Sequence, residues 1–253
     1  MIDKKIDIIL LSFNDSRIFK AIESVRHFDD IGVVRLIIVD GGSAASLVER
    51  VKSVLSSTDI LVVEKDNGIF DALNKGLKRS SSEFLGWLGS DDYFSPMLKA
   101  SFILKALYEC DVLIGDTVHF KSGIITRKSY SLPSKMGLYR YGFNNPHFST
   151  FGRSTILKAA QFNVNLRSAD ILYFLTVFNT GCVVSTLPSV FTYMEDGGFS
   201  NSSVKAILLT NFELYGVYRR FYGPIHSLLA IIVKLIYKIS VRIWFYLKKE
   251  KLD

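Results

Sequence analysis

Nearly continuous apolar runs alternate along the first half of the chain with segments whose apolar residues recur every three or four positions. The runs IDIILLSF (6–13), RLIIVD (35–40), ILVVE (60–64) and EFLGWL (83–88) have the pattern of strands covered on both faces. Between them lie three helical patterns. Ile18, Ile22, Val25 and Phe28 recur in 15–29, Leu47, Val51, Val54 and Leu55 in 46–57, and Ile69, Phe70, Leu73 and Leu77 in 68–79. Such repetition predicts right-handed crossovers, hence an α/β fold with a parallel sheet and helices on both sides.

The second half is less regular. DVLIGD (111–116) predicts a further strand and SADILYFLTVFNTG (168–181) a helix closed by Gly181. VVSTLP and VFTYM predict two short strands, and 203–221 a helix. Residues 118–145 are turn-rich and have no clear period.

Composition narrows the class. The 253 residues are 49% hydrophobic and 22% charged, the balance of a globular chain with a full core. The formal charge of +7 is uneven. Residues 224–253 hold Lys234, Lys238, Arg242, Lys248, Lys249 and Lys251 against Glu250 and Asp253, which is +4 of the +7. The rest of the chain needs no polyanion to explain it, so no nucleic-acid partner is expected. Cys110 and Cys182 lack metal-type spacing and read as free thiols in a reducing compartment. The N-terminal stretch has no signal-peptide cleavage site, and its apolar run reads as a strand.

In parallel sheets ligands bind beyond the carboxyl ends of the strands. The four ends predicted here are polar: Ser12, Asn14 and Asp15; Asp40, Gly41, Gly42 and Ser43; Glu64, Asp66, Asn67 and Gly68; Ser90, Asp91 and Asp92. Asp40-Gly-Gly-Ser alone reads equally as a turn with a helix cap. The adjacent Asp91 and Asp92 repel each other, so the pair calls for a cation or strong donors. Mg²⁺ or Mn²⁺ typically takes one or two carboxylates and completes its shell with water and phosphate oxygens. Asp29-Asp30, by contrast, reads as a solvated turn.

The stretches LLSFND, IIVDGGS, EKDNGIFDALNKGL and FLGWLGSDDYF, in that order and at strand ends, resemble glycosyltransferase family 2 over residues 6 to about 200. This resemblance implies a GT-A fold, with a Rossmann-like nucleotide-binding half in 1–117 and an acceptor-binding half in 118–222. It implies an inverting glycosyltransferase of hexosyl or N-acetylhexosaminyl type, of the kind that builds bacterial surface polysaccharides. The donor would be a nucleotide-diphospho-sugar, UDP-linked by family habit, and the acceptor a saccharide, lipid-linked. Position by position, the resemblance assigns Ser12, Asn14 and Asp15 to the nucleoside pocket and Asp40 to the base. It assigns Asp66 and Gly68 to uracil or ribose, and Asn74 to the donor site. Ser90-Asp91-Asp92 stands for the Asp-x-Asp element, with Asp91 by the ribose or donor sugar and Asp92 on Mn²⁺ or Mg²⁺. Ser90 departs from a strict Asp-x-Asp. NPHFSTFGRSTIL (145–157) brings His147 and Arg153 as further candidates. Asp170 matches the catalytic base, although Leu172 stands where a second Asp is usual. Glu195 and Asp196 in MEDGGFS are its rivals.

Two other readings remain open on the sequence: a degenerate scaffold of the same fold, and a sugar-phosphate nucleotidyltransferase. The latter expects a Gly-rich, Arg-containing loop after the first strand, which LLSFNDSRIF lacks.

Residues 223–253 form a basic tail. The stretch 224–249 is long enough to span a bilayer, but Lys234, Lys238 and Arg242 recur every four residues on one stripe. Burying a charge at the bilayer centre costs roughly 2.5–3.5 kcal/mol. The expectation is an interfacial helix on the cytoplasmic membrane face, its basic stripe on the headgroups and Trp244 and Phe245 in the acyl region. Packing on another subunit is the alternative.

Overall fold

A computed structural model describes residues 4–131, 147–196 and 204–248. Of the stretches singled out above, 132–146, 197–203 and 249–253 lie outside the described residues. The first half folds as its pattern predicts: β1 (Ile6–Ser12), α1 (Ile18–Phe28), β2 (Val34–Asp40), α2 (Ala45–Ser53), β3 (Ile60–Val63), α3 (Ile69–Arg79) and β4 (Phe84–Gly89). β1 pairs in parallel with β2 and with β4, and β2 in parallel with β3. Ser12 stands opposite Asp40, and Leu11 opposite Gly89, so the polar ends of these strands share one edge.

Alternation along each strand explains the two buried faces. Ile8, Leu10, Leu36, Ile38, Phe84 and Leu88 point to the side of Ile18, Ile22, Val25 and Phe28 on α1. Ile9, Leu11, Ile37, Val39, Leu85 and Trp87 point to Leu73 and Leu77 on α3. Each such side chain contributes roughly 1.5–3 kcal/mol when fully buried.

The second half extends the same sheet. It holds β5 (Tyr93–Phe94), α4 (Ala100–Leu107), β6 (Val112–Lys121), β7 (Ile124–Ser129), β8 (Thr150–Arg153), α5 (Ser154–Leu157), α6 (Ala169–Phe178) and β9 (Val184–Glu195). Among the described residues nine strands run in the order β3-β2-β1-β4-β8-β6-β9-β5, with β7 paired to β6. β8 lies antiparallel between β4 and β6, and β9 runs parallel to β6. The two strands expected in 183–194 are one strand, β9, with its register shifted against β6 around Asp116. α6 packs on β4 through Trp87, whose ring meets those of Tyr173 and Phe174. Cys110 and Cys182 are free thiols.

α7 (Val204–Lys248) breaks at Gly223 (φ 78°), just before Pro224. Its first part packs on α6 through Leu214, Val217 and Tyr218. Its second part corrects the expected orientation of the tail. Lys234, on the basic stripe, is 8% exposed and turned inward, its ammonium 3.5 Å from Asn211 Oδ1. Phe245 is also buried, against Val118 and Ile125, and not free to enter lipid. The outward side carries Ile225, Leu229, Ile232, Ile236, Ile239 and Ile243, all exposed. At 100° per residue these positions share one face, the one opposite Lys234. Among the described residues no helix is long and apolar enough to cross a membrane.

Candidate active site

The loops that leave the carboxyl ends of β1, β2 and β3 are tied to one another. Asn14 takes a left-handed backbone (φ 48°), a conformation asparagine tolerates. Its amide oxygen accepts from the Ala44 N–H at 2.9 Å, just before α2, while its own N–H donates to Ser43 Oγ at 2.7 Å. Asp40 is buried and braces the same loop. Its Oδ1 accepts from the N–H groups of Gly42 (3.0 Å) and Ser43 (2.6 Å), and its Oδ2 from the Ser43 hydroxyl (2.6 Å). Asp66 Oδ1 accepts from Gly68 N–H at 2.9 Å, which shapes the turn into α3. Its other oxygen lies against Gly41.

Phe13 stands beside Gly41 in this corner and is 63% exposed. An aromatic face left in water at a strand end, next to Asp40 and Asp66, is suited to stack on a planar base. The sequence reading passed over Phe13 because it closes an apolar run and so counts as strand. Ser12, next to it, has a buried hydroxyl that meets no hydrogen-bond partner among the described residues.

The second group lies at the end of β4. Asp91 and Asp92 pack against Gly89, and Asp92 is only 4% exposed. Burial, with the neighbouring Asp91 charge, holds the Asp92 carboxyl well above the usual carboxylate range. Burial raises Asp91 as well. The reverse holds for Asp15, whose carboxyl is held low by its hydrogen bonds to Arg17. The Arg17 guanidinium grips Asp15 through Nε (2.9 and 3.1 Å) and Nη2 (2.7 Å). It also donates from Nη1 to Glu195 Oε2 at 2.5 Å and lies 3.8 Å from Asp91 Oδ2. Ser90 Oγ donates to Asp15 Oδ2 at 3.3 Å, which links the ends of β1 and β4. β9 thus delivers Glu195 to the same edge, and Arg17, absent from the sequence reading, joins the strand ends.

Among the described residues no three His, Cys, Asp or Glu side chains are grouped to hold a metal ion. Magnesium and manganese ask for less of the protein, one or two carboxylates with substrate oxygens completing the shell. Asp92 fits that demand: a carboxylate that burial and Asp91 make hard to ionise gains most from a cation beside it.

Three other predicted residues, Asn74, Arg153 and Asp196, are engaged elsewhere. Asn74 spends both ends of its amide on Phe162, donating to its carbonyl at 2.8 Å and accepting from its N–H at 2.9 Å. It clamps α3 to the loop before α6. Arg153 pairs in register with Phe84 because β8 runs antiparallel to β4, which carries it to the start of β4, away from Asp91 and Asp92. There it binds Glu83 (3.1 Å) and Asp111 (3.3 Å). Asp196 bonds to the Thr126 hydroxyl and faces His119 and Arg127, each at 3.8 Å, on the β6–β7 hairpin. Asp170 sits in the first turn of α6, with His147 Nδ1 3.6 Å away. Burial pulls the His147 imidazole down, and the Asp170 carboxylate opposes that shift.

Comparison with known proteins follows this geometry. The sequence pattern described as Glycosyl transferase family 2 matches residues 7–165, more than half of the chain. The chain belongs to glycosyltransferase family 2. Within that family, it is 32% identical over 91 residues to an uncharacterized glycosyltransferase found in two strains of Mycobacterium tuberculosis. That match covers 36% of this chain and only 35% of the relative. The fold resembles that of S. aureus TarS 1–349 in complex with UDP-GlcNAc (TM-score 0.60, 16% identity, 93% of this chain and 73% of that one). It also resembles mannosyltransferase PcManGT from Pyrobaculum calidifontis in complex with GDP-Man and Mn²⁺ (TM-score 0.61, 12% identity, 96% and 74%). Both have the GT-A fold, and this family 2 chain shares it.

Proposed function

We propose that this enzyme moves a hexosyl or N-acetylhexosaminyl group from a nucleoside-diphosphate sugar to a saccharide hydroxyl, with inversion, in a single displacement. The observation that carries the reading is the joined edge itself. A corner formed by Phe13, Gly41 and Asp66 continues, through the Ser90–Asp15 hydrogen bond, into the carboxylates of Asp91 and Asp92. UDP is the favoured nucleotide because TarS, of like fold, binds UDP-GlcNAc.

In this reading Phe13 stacks on the base, and Asp66 with the Asp40-braced loop fixes the nucleoside. Asp92, with Asp91, would hold Mn²⁺ or Mg²⁺, which would supply Lewis-acid neutralisation of the departing diphosphate's charge. Asp170 takes the proton of the acceptor hydroxyl as that oxygen attacks the anomeric carbon. Of its rivals, Glu195 is engaged by Arg17 and Asp196 by Thr126, while Asp170 faces the His147 imidazole. Leaving and attacking groups on opposite faces of the sugar give inversion.

The acceptor in this proposal is lipid-linked, in surface polysaccharide synthesis on the inner face of the cell membrane. The exposed apolar row from Ile225 to Ile243 supports attachment there, with the row itself against the acyl chains. In flotation with vesicles containing anionic lipid, the full chain should rise with the lipid. A chain ending at Tyr222, or one with Ile232, Ile236 and Ile239 changed to Gln, should remain behind. Equal flotation of all three contradicts the attachment.

Nucleotide release from a panel of nucleotide sugars tests the chemistry. One donor class should release nucleotide, and Asp92→Ala and Asp170→Asn should each abolish it. A scaffold would release none from any donor. Near-normal turnover in Asp170→Asn would move the base to Glu195.

A further inference from the structure

Arg17 has one guanidinium and three carboxylate neighbours, Asp15, Asp91 and Glu195, from the loop after β1, the end of β4 and the end of β9. It is half exposed, at the open side of the cluster, while Asp92 lies buried behind Asp91. An arginine fork binds carboxylates and phosphates by the same geometry. The residue therefore offers in the empty protein the positive charge that a cation and a diphosphate would bring and receive when donor is bound.

We propose that Arg17 is a resident counter-cation of the donor-free enzyme: it competes with the divalent ion for the carboxylates at the end of β4 and releases them when a nucleoside diphosphate arrives. This inference rests on the donor-site reading above. It makes the metal bind with the nucleotide and only weakly before it. While Arg17 lies between Asp15, Asp91 and Glu195, a divalent ion at Asp91 meets like charge at short range. A diphosphate gives the guanidinium another anion to bind and gives the metal further oxygen ligands. Arg17 is on this account a positioning residue for the metal and a phosphate contact in the donor complex.

The test is Mn²⁺ binding, read as the loss of the free-ion electron paramagnetic resonance signal, with purified full-length wild type, Arg17→Gln and Arg17→Lys, each with and without UDP. Without UDP, Arg17→Gln should bind Mn²⁺ about tenfold more tightly than wild type. Arg17→Lys keeps the charge and should stay close to wild type. Adding UDP should tighten Mn²⁺ binding strongly in wild type and much less in Arg17→Gln. A merely structural ion pair would leave the metal affinity unchanged or lower it in Arg17→Gln. Melting curves of both variants check that they fold, and the Lys variant reports on charge if Gln alone misfolds. If wild type binds Mn²⁺ with UDP but Arg17→Gln binds no more tightly than wild type without it, the counter-cation role is wrong and the donor site stands. If wild type binds no Mn²⁺ even with UDP, the metal reading itself fails, and this inference with it.

Discussion

The Asp66 carboxylate lies against the α-carbon of Gly41, so that a Cβ on residue 41 would stand 2.5 Å from Asp66 Oδ2 and 3.3 Å from the Phe13 ring. Glycine is needed there for the approach of two side chains. Gly41→Ala would push aside both groups proposed to meet the nucleoside while leaving the core of the sheet untouched. The expected outcome is a rise in KM for the nucleotide sugar of about tenfold or more, with a small change in melting temperature. Steady-state kinetics beside a thermal melt checks both.

Phe13 gives a simpler reading of the same corner. If its ring stacks on the base, Phe13→Ala should weaken UDP binding by about 1–3 kcal/mol, and Phe13→Tyr or Phe13→Trp should restore most of it. Calorimetric titration of UDP into the variants measures this. The exposed ring contributes little to the core, so stability should hardly change.

Asp92 couples function to stability in the opposite sense. Its carboxyl is raised, by burial first and by Asp91 second, so the folded protein prefers the protonated form. That preference favours folding at acid pH, where the unfolded carboxyl is protonated too. It is lost as pH rises from about 4, the ordinary aspartate value, through the raised one. In metal-free protein Asp92→Asn should therefore melt higher than wild type, by a margin that grows as pH rises above about 4. Each kcal/mol relieved is worth about 2–4 °C in a domain of this size. Mn²⁺ added on top of UDP should stabilise wild type further and give Asp92→Asn no extra gain. Melting curves across pH, with and without ligand, decide the sign.

Gly76 is the helical counterpart of Gly41. A Cβ there would collide with Ile9 Cγ2, a fully buried side chain of β1, so α3 sits directly on the sheet at this point. Gly76→Ala gains about 1 kcal/mol of helix propensity but overpacks the core, which typically costs 1–3 kcal/mol or somewhat more. The net expectation is destabilisation in denaturant unfolding.

The sequence carried the first half of the chain further than the second, for a physical reason. β1 to β4 are covered on both faces, so they show as unbroken apolar runs, and their helices show as three- and four-residue recurrence. Pairing between near neighbours in the chain then places Ser12, Asp40 and Asp92 on one edge. β8 was not legible: it is four residues long and inserts between β4 and β6, a pairing that no local pattern encodes. Its direction removes Arg153 from the site. Which side of α7 meets the body was equally hidden, because periodicity gives two faces and only tertiary contacts choose between them. Lys234 and Phe245 turned out to lie on the inner one. The two Asp-Asp pairs show the same limit. Asp29 accepts from the Val33 and Val34 N–H groups, and Asp30 from Ser101, so both are satisfied within the fold. Asp91 and Asp92 differ only in their surroundings.

Titration of UDP into the wild-type protein by calorimetry, once with Mn²⁺ and once with EDTA, and again with Asp92→Ala, addresses the donor site most directly. UDP should bind wild type with Mn²⁺ at least about tenfold more tightly than with EDTA, and Asp92→Ala should lose that difference while keeping the weaker, metal-free binding. UDP binding that is equal in all three, or absent from wild type with every nucleotide tried, would contradict a cation-assisted nucleotide-sugar site at this edge of the sheet.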